Sequence, residues 1–397
     1  MFLGTASGQG LIFLASPLLT RFYDQTDFGF FAIFLSTVSI FSTILTLRYE
    51  LCIVSLSRNT AALLALRATI WLSNFLGLLS FVIAILWPSA FLPMHWSHLH
   101  VALAILTGLL TAQITALSAW YSRLRSFRWL ALLKIFQNSG IAATSLLAGY
   151  YGWHSGLLLS QASGLLLAFF LCFPLYLRLN TFALPEKHFF ILKQNIKFPK
   201  YLLLAASIDI FSLQLPVYLL SSLFSISIAG EYSLAWRVLI APVTLISTSL
   251  GQVFFQRISK AHTQGKDIRA IIFQTWKILA FLGAFPFLLI FFYGAEIFSF
   301  TFGMRWEHAG YLAQLMAPML FAIFISSPTS SFYTSCGLQK YSLFFCIASL
   351  FLRTSAIYIG SHYRNIELAL ILLSFFEVVQ ILWYNFFGLS KIPQPKY

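Results

Sequence analysis

Residues 68–122 contain no Asp, Glu, Lys or Arg. A run of 55 such residues cannot be spread over a water-facing surface. It is long enough to cross a hydrocarbon layer twice, since one helical crossing takes roughly 20 predominantly apolar residues. Residues 135–177 add a second uncharged run, 43 residues long and again sufficient for two crossings. Shorter uncharged runs cover 28–47, 210–230, 238–256, 278–295 and 308–339, and the last hundred residues hold two more spans, each interrupted once, by Arg353 and by Glu377. None of these runs alternates polar with apolar residues at every second position, which argues against membrane-barrel strands.

Composition closes off the soluble alternatives. The chain has 397 residues, 59% hydrophobic and only 9% charged, whereas soluble domains carry about a quarter charged residues. That excludes a cytosolic enzyme, a secreted disulfide scaffold, a disordered chain and a nucleic-acid-binding module, and no nucleic-acid partner is expected in spite of the net charge of +14. The four cysteines, Cys52, Cys172, Cys336 and Cys346, lie in or near spans without metal or redox spacing, so buried packing is the role expected of them.

Cutting the runs at turn signals such as Asp24-Gln25, Tyr151-Gly152 and Ala229-Gly230 predicts an all-α polytopic membrane protein of about twelve spans. They fall near 3–22, 28–56, 63–87, 99–121, 127–149, 155–178, 199–224, 230–256, 274–300, 309–336, 341–361 and 366–388. The longest connection, polar and containing Pro185, divides them into an N-terminal six-helix bundle (1–178), a linker (179–198) and a C-terminal bundle with a short tail (199–397). An even number of spans per half makes any duplication a parallel one, related by an axis along the membrane normal. A faint echo agrees: Pro17 precedes Gly29 at the start of span 2, as Pro216 precedes Gly230 at the start of span 8.

Cations set the orientation. Twenty of the twenty-five Lys and Arg fall in connections after even-numbered spans or in the tail; the other side holds Arg21, Arg305 and Arg364, while Arg237 and Arg353 fall within spans. The positive-inside rule then puts both termini in the cytoplasm. Trp87, Trp96, Trp153 and Trp306 sit near span ends, as interfacial anchors do. Span 1 begins almost at Met1 with no basic flank, which points to a shortened reading of a longer gene, and it lacks the charged start of a signal peptide.

At 100° per residue, Arg237, Ala241, Thr244, Thr248, Gly251 and Gln252 share one face of span 8. Thr107, Thr111, Thr115, Ser118 and Ser122 do so in span 4, Thr5, Gln9, Ser16 and Thr20 in span 1, and Glu377, Gln380 and Tyr384 in span 12. Small hydroxylated residues also mediate helix packing in lipid. The added arginine, glutamine and carboxylate favour a hydrated interior, because charge facing lipid is costly. The ionisable candidates are Arg48 with Glu50, Asp209, Arg237, Arg353 and Glu377. Arginines suit an anionic head group, since the planar fork donates two parallel hydrogen bonds to phosphate, and carboxylates suit a coupling cation. The competing reading is a set of interhelical ion pairs, such as Arg353 with Glu377. His95, His98 and His100 read as a solvated loop rather than a metal site, and neither a metal nor a cofactor is expected.

The segments ASPLLTRFYDQTDFGFFAIFLS (15–36), LRYELCIV (47–54), FPKYLLLAASIDIFSLQLPVYLLSSLF (198–224) and AGEYSLAWRVLIAPVTLISTSLGQVFFQR (229–257) resemble polysaccharide flippases of the Wzx type. Those belong to the multidrug/oligosaccharidyl-lipid/polysaccharide exporter superfamily. The resemblance implies a V-shaped pair of six-helix bundles and no enzymatic activity. It also implies movement of an undecaprenyl-pyrophosphate-linked oligosaccharide across the bacterial inner membrane for lipopolysaccharide, O-antigen or capsule synthesis. Arg48, Tyr49, Glu50 and Arg237 match motif positions; Asp209 stands where a small polar residue or amide is expected. On this reading Arg48, Arg237, Arg353, Thr244, Thr248 and Gln252 take the pyrophosphate and sugars. Glu50, Asp209 and Glu377 are candidates for coupling to H+ or Na+, and a polysaccharide polymerase is a candidate partner. A drug or small-metabolite exporter of the same superfamily, and a membrane-embedded polymerase or ligase, are the alternatives.

Overall fold

In hydrocarbon every backbone N–H and C=O needs a partner inside its own segment, and helices supply it. The computed structural model describes residues 2–86, 96–178, 185–263, 268–330, 332–335 and 339–391, and all regular structure among these is helical. The α-helices are α1 (Phe2–Phe22), α2 (Gln25–Thr46), α3 (Glu50–Ser55), α4 (Asn59–Leu86), α5 (His98–Arg123), α6 (Phe127–Tyr150), α7 (Gly156–Arg178), α8 (Pro185–Gln194), α9 (Leu204–Leu223), α10 (Ile226–Thr263), α11 (Ile268–Phe302), α12 (Glu307–Ser326), α13 (Phe332–Ser335), α14 (Gln339–His362) and α15 (Ile366–Lys391). Among the described residues, ten helices are long and apolar enough to cross a membrane. The other two predicted spans correspond to the 21-residue α1, apolar over Gly10–Phe22, and to the 38-residue α10. At 1.5 Å per residue α10 runs about 57 Å and must project well beyond a hydrocarbon core of about 30 Å. The protein is a polytopic, all-helical membrane protein.

Two elements depart from the predicted spans. Span 2, expected as one helix over 28–56, breaks between α2 and α3, where Leu47 and Arg48 both adopt left-handed backbone (φ 45° and 63°). A non-glycine residue there costs roughly 1–2 kcal/mol, and burial of the following segment opposes that cost. Tyr49, Cys52 and Ile53 enter a core with Leu66 and Ile70 of α4, Leu117 of α5 and Leu192 of α8. The predicted linker also contains a helix: α8 is too short to cross a bilayer, and it buries Ile191 and Leu192 in that same core.

The chain forms two compact units, Met1–Tyr23 with Phe31–Ile210, and Asp24–Phe30 with Phe211–Tyr397. In the first, α6 and α7 pair closely, and Asn74 of α4 is held by Gln113 of α5 (2.5 Å) and Tyr176 of α7 (3.1 Å). In the second, Gly29 and Gly230 meet: a Cβ on Gly230 would stand 1.9 Å from the carbonyl oxygen of Gln25 and 2.7 Å from the nitrogen of Gly29. Only glycine permits that approach. The two positions that echo each other in sequence are therefore in backbone contact. Next to them Trp306 is buried, its ring edge-on to Phe28 at 4.9 Å, and the Gln25 side chain donates to the Arg305 carbonyl at 2.6 Å.

The tryptophans divide. Trp153 is exposed near a helix end, as an anchor would be, whereas Trp96 and Trp306 are buried and serve as core; Trp87 lies outside the described residues. Cys52 and Cys172 are buried free thiols and Cys346 is half-buried; Cys336 lies outside the described residues.

Candidate functional site

In the first unit the strained turn between α2 and α3 carries Arg48 and Glu50. The Arg48 Nη1 donates to Glu50 Oε1 at 3.3 Å; the Arg48 side chain is 32% exposed and that of Glu50 only 7%. Arg48 Nε and Glu50 Oε2 are buried without a hydrogen-bond partner among the described residues. A native fold leaves few such atoms, and each marks strain or function. Tyr49, between them, points the other way and donates its hydroxyl to the Leu192 carbonyl of α8 at 2.9 Å. The result is an arginine half open to its surroundings on a fixed, strained backbone, beside a carboxylate with spare acceptor capacity. Strain of this kind clusters at sites where geometry is preset for a ligand.

The second unit holds a different arrangement. Arg353 of α14 binds Glu377 of α15 through Nε, and its Nη1 donates to Ser212 of α9 at 3.1 Å; Ser349, one turn before Arg353, donates to the same Glu377 oxygen at 3.4 Å. Both charged side chains are almost fully buried. The surrounding cavity, walled by Tyr232 and Trp236 of α10 with Met319 and Leu373, has a volume of about 10 Å³, room for one water at most. As folded here, the pair has no space for a pyrophosphate or a sugar. This is the interhelical ion pair that the sequence offered as the competing reading.

Arg237 lies half-buried on α10, and Thr244, two turns on, donates to the Ala241 carbonyl of its own helix at 2.9 Å. The side chains of Thr248 and Gln252 lie outside the described ones. Asp209 is exposed on the first turns of α9.

The hydroxyl stripes divide in the same way. Thr107, Thr111 and Thr115 each donate to the carbonyl four residues earlier, at 2.6, 2.8 and 2.7 Å, and they range from fully buried Thr107 to exposed Thr115. Such bonds are what a hydroxyl makes when no better partner is offered, so this stripe is not a uniform cavity wall. Ser16 and Thr20 of span 1 likewise bond within their own helix. The span 12 stripe faces its own unit: Gln380 donates to the Phe345 carbonyl at 2.7 Å, and Tyr384 stacks on Tyr333 at 4.0 Å.

Three polar features escaped the sequence reading. One is the Asn74–Gln113–Tyr176 cluster; Asn74 and Gln113 stand out as amides inside the longest uncharged run, and an amide in lipid needs a partner. The second is buried Glu231 near the start of α10, held by His308 Nδ1 at 2.5 Å; counting only cations by connection passed over it. The third is Arg123, which the topology count treated only as an edge marker. Its guanidinium binds the carbonyls of Ile53, Val54, Leu56 and Ser57 and the Asn59 side chain, capping α3 and closing the turn into α4. His100 bonds Ser97 at the start of α5. Among the described residues, no group of three or more His, Cys, Asp or Glu could hold a metal; His95 is not among them.

The fold and these intramembrane charges define a class: a polytopic, all-helical membrane protein with ionisable groups inside its spans. The chain is similar in fold to lipid II flippase MurJ in an inward closed conformation (TM-score 0.77, 14% identity, covering 98% of this chain and 87% of that one). It is similar to an inward-facing multidrug resistance MATE family transporter (0.71, 15%, 96% and 93%). It also resembles a MOP superfamily transporter from Pyrococcus furiosus (0.62, 15%, 98% and 95%). No curated protein sequence matches the chain. Residues 18–310 match the family described as polysaccharide biosynthesis protein, and the chain belongs to that family.

Proposed function

We propose that this protein is a flippase that moves an undecaprenyl-pyrophosphate-linked oligosaccharide from the cytoplasmic to the periplasmic leaflet of a bacterial inner membrane, by alternating access, for lipopolysaccharide or capsule synthesis. The observation that carries this reading is the family match across residues 18–310. The fold shared with a lipid II flippase supports it. The cation distribution supports a cytoplasmic position for both termini, and on this reading the protein acts with a polysaccharide polymerase downstream rather than as an enzyme itself.

Within this reading Arg48 and Arg237 take the pyrophosphate, with Thr244, Thr248 and Gln252 toward the sugars. The exposed share of the Arg48 side chain and its preset backbone suit a bidentate grip on phosphate oxygens. Glu50, whose second oxygen has no partner among the described residues, is the better candidate for a coupling H+ or Na+ than Glu377, which Arg353 already neutralises. Asp209, exposed near the start of α9, is the third candidate. Arg48→Ala and Arg237→Ala should each abolish surface polysaccharide while the protein stays in the membrane. Normal polysaccharide in both variants would remove those residues from the mechanism.

A drug or small-metabolite exporter is the second reading, favoured by the fold likeness to the multidrug transporter. Deleting the gene separates the two: accumulated lipid-linked sugar fits the flippase, and drug sensitivity without accumulation fits the exporter.

A further inference from the structure

Helix α8 and the turn after it form a surface that neither the ion pairs nor the polar clusters use. Between Glu186 and Asp209 the chain carries Lys187, Lys193, Lys197 and Lys200 and no acid. Helix α8 is too short to cross a bilayer, and in the chain it stands between α7 and α9, two helices long and apolar enough to do so; the segment therefore stays near the membrane face at which those helices end. One side is fastened to the first unit by buried Ile191 and Leu192 and by the Tyr49 hydroxyl on the Leu192 carbonyl. The neighbouring residues are exposed and mixed: Phe190 and Ile196 are 62% and 54% exposed, and Lys193, in the last turn of α8, and Lys197, just after the turn at 195–196, are exposed as well. Exposed Phe and Ile next to lysines in a segment that stays at a membrane face is the pattern of an interfacial segment, with rings and branched chains at the acyl boundary and amines at the headgroups.

We infer that Lys193 and Lys197 form a binding surface for anionic phospholipid, with Phe190 and Ile196 seated at the top of its acyl chains. Charge complementarity selects the occupant: a stretch of sequence with cations and no acid between Glu186 and Asp209 attracts phosphate headgroups of net negative charge and gains little from zwitterionic ones. The inference does not depend on what the protein transports.

Native mass spectrometry of the full-length protein, equilibrated with equimolar phosphatidylglycerol and phosphatidylcholine, tests it. The wild type should retain phosphatidylglycerol preferentially, and Lys193→Gln/Lys197→Gln should lose about fivefold of that preference per lysine. Lys193→Arg/Lys197→Arg should keep the preference, as should Lys391→Gln, a cation at the far end of α15; raised ionic strength should weaken it. Undiminished preference in the double glutamine variant, or loss in the arginine or Lys391 variants, overturns the assignment. Retention of inorganic pyrophosphate in place of phosphatidylglycerol, abolished by the same two glutamines, would overturn it too, by giving the surface to a pyrophosphate head group instead.

Discussion

Removing one member of the Arg353–Glu377 pair should destabilise the second unit far more than removing both. The two side chains retain only 11% and 8% of their accessible surface, so each single substitution strands a charge that water cannot reach. In Arg353→Met, Glu377 keeps the neutral Ser349 hydroxyl at 3.4 Å; in Glu377→Leu, Arg353 keeps the Ser212 hydroxyl at 3.1 Å but loses its carboxylate. Breaking a buried pair from one side costs about 3–5 kcal/mol, whereas replacing both charges by apolar groups of similar volume is often neutral. The apolar neighbours Met319, Ile323 and Leu373 should accept the Met–Leu combination. The assay is a double-mutant cycle on unfolding in mixed micelles, run beside surface polysaccharide. Expected are two single losses of about 3–5 kcal/mol, a double loss below about 2 kcal/mol, and therefore a coupling energy of at least about 4 kcal/mol. Losses that simply add would refute the ion-pair reasoning. So would a stable, correctly inserted Glu377→Leu that has lost transport, since that outcome makes Glu377 a working group rather than half of a packing pair.

Arg123→Ala should loosen the turn between α3 and α4: hydrogen bonds to a charged donor are worth about 1.5–3 kcal/mol each, and hydrogen exchange across residues 50–59 should speed up. Arg123→Lys should restore only part of the protection, because one ammonium cannot span four carbonyls. Gly230→Ala should prevent accumulation of folded protein, since its Cβ would lie 1.9 Å from a backbone oxygen. Gly10→Ala, with nothing within 4 Å of the added carbon, should be neutral or stabilising by about 0.5–1 kcal/mol; membrane-fraction yield and thermal melting read both. Gln113→Leu should leave Asn74 with one partner fewer and cost about 1–3 kcal/mol, and adding Asn74→Leu should return part of it, as measured by thermal melting of the purified variants.

The helical class and most of the spans were legible because the cost of burying backbone in lipid leaves few options for an uncharged run. The likelihood of an Arg353–Glu377 pair could also be read, since two opposite charges in neighbouring spans each need a partner. Boundaries were harder. The break after Thr46 has no proline or glycine to signal it; it arises because Tyr49, Cys52 and Ile53 gain more from packing on α4, α5 and α8 than Leu47 and Arg48 lose in left-handed backbone. The polar stripes are ambiguous in sequence for a related reason. A threonine at helical spacing looks the same whether it is buried or exposed, and in either setting it can donate to its own helix, as buried Thr107 and exposed Thr115 do.

What the sequence determined by itself was the solvent and the period: runs without charge, too long for any soluble surface, which must become helices crossing lipid. What only the tertiary structure decided was the fate of each charge. Arg353 is closed against Glu377, Arg123 is bound to the carbonyls ending α3, and Arg48 is left partly open on a strained turn. The chemical identity of an arginine states that it needs acceptors. Which acceptors it finds depends on elements distant in the chain, and that choice separates a structural arginine from one free to meet a ligand.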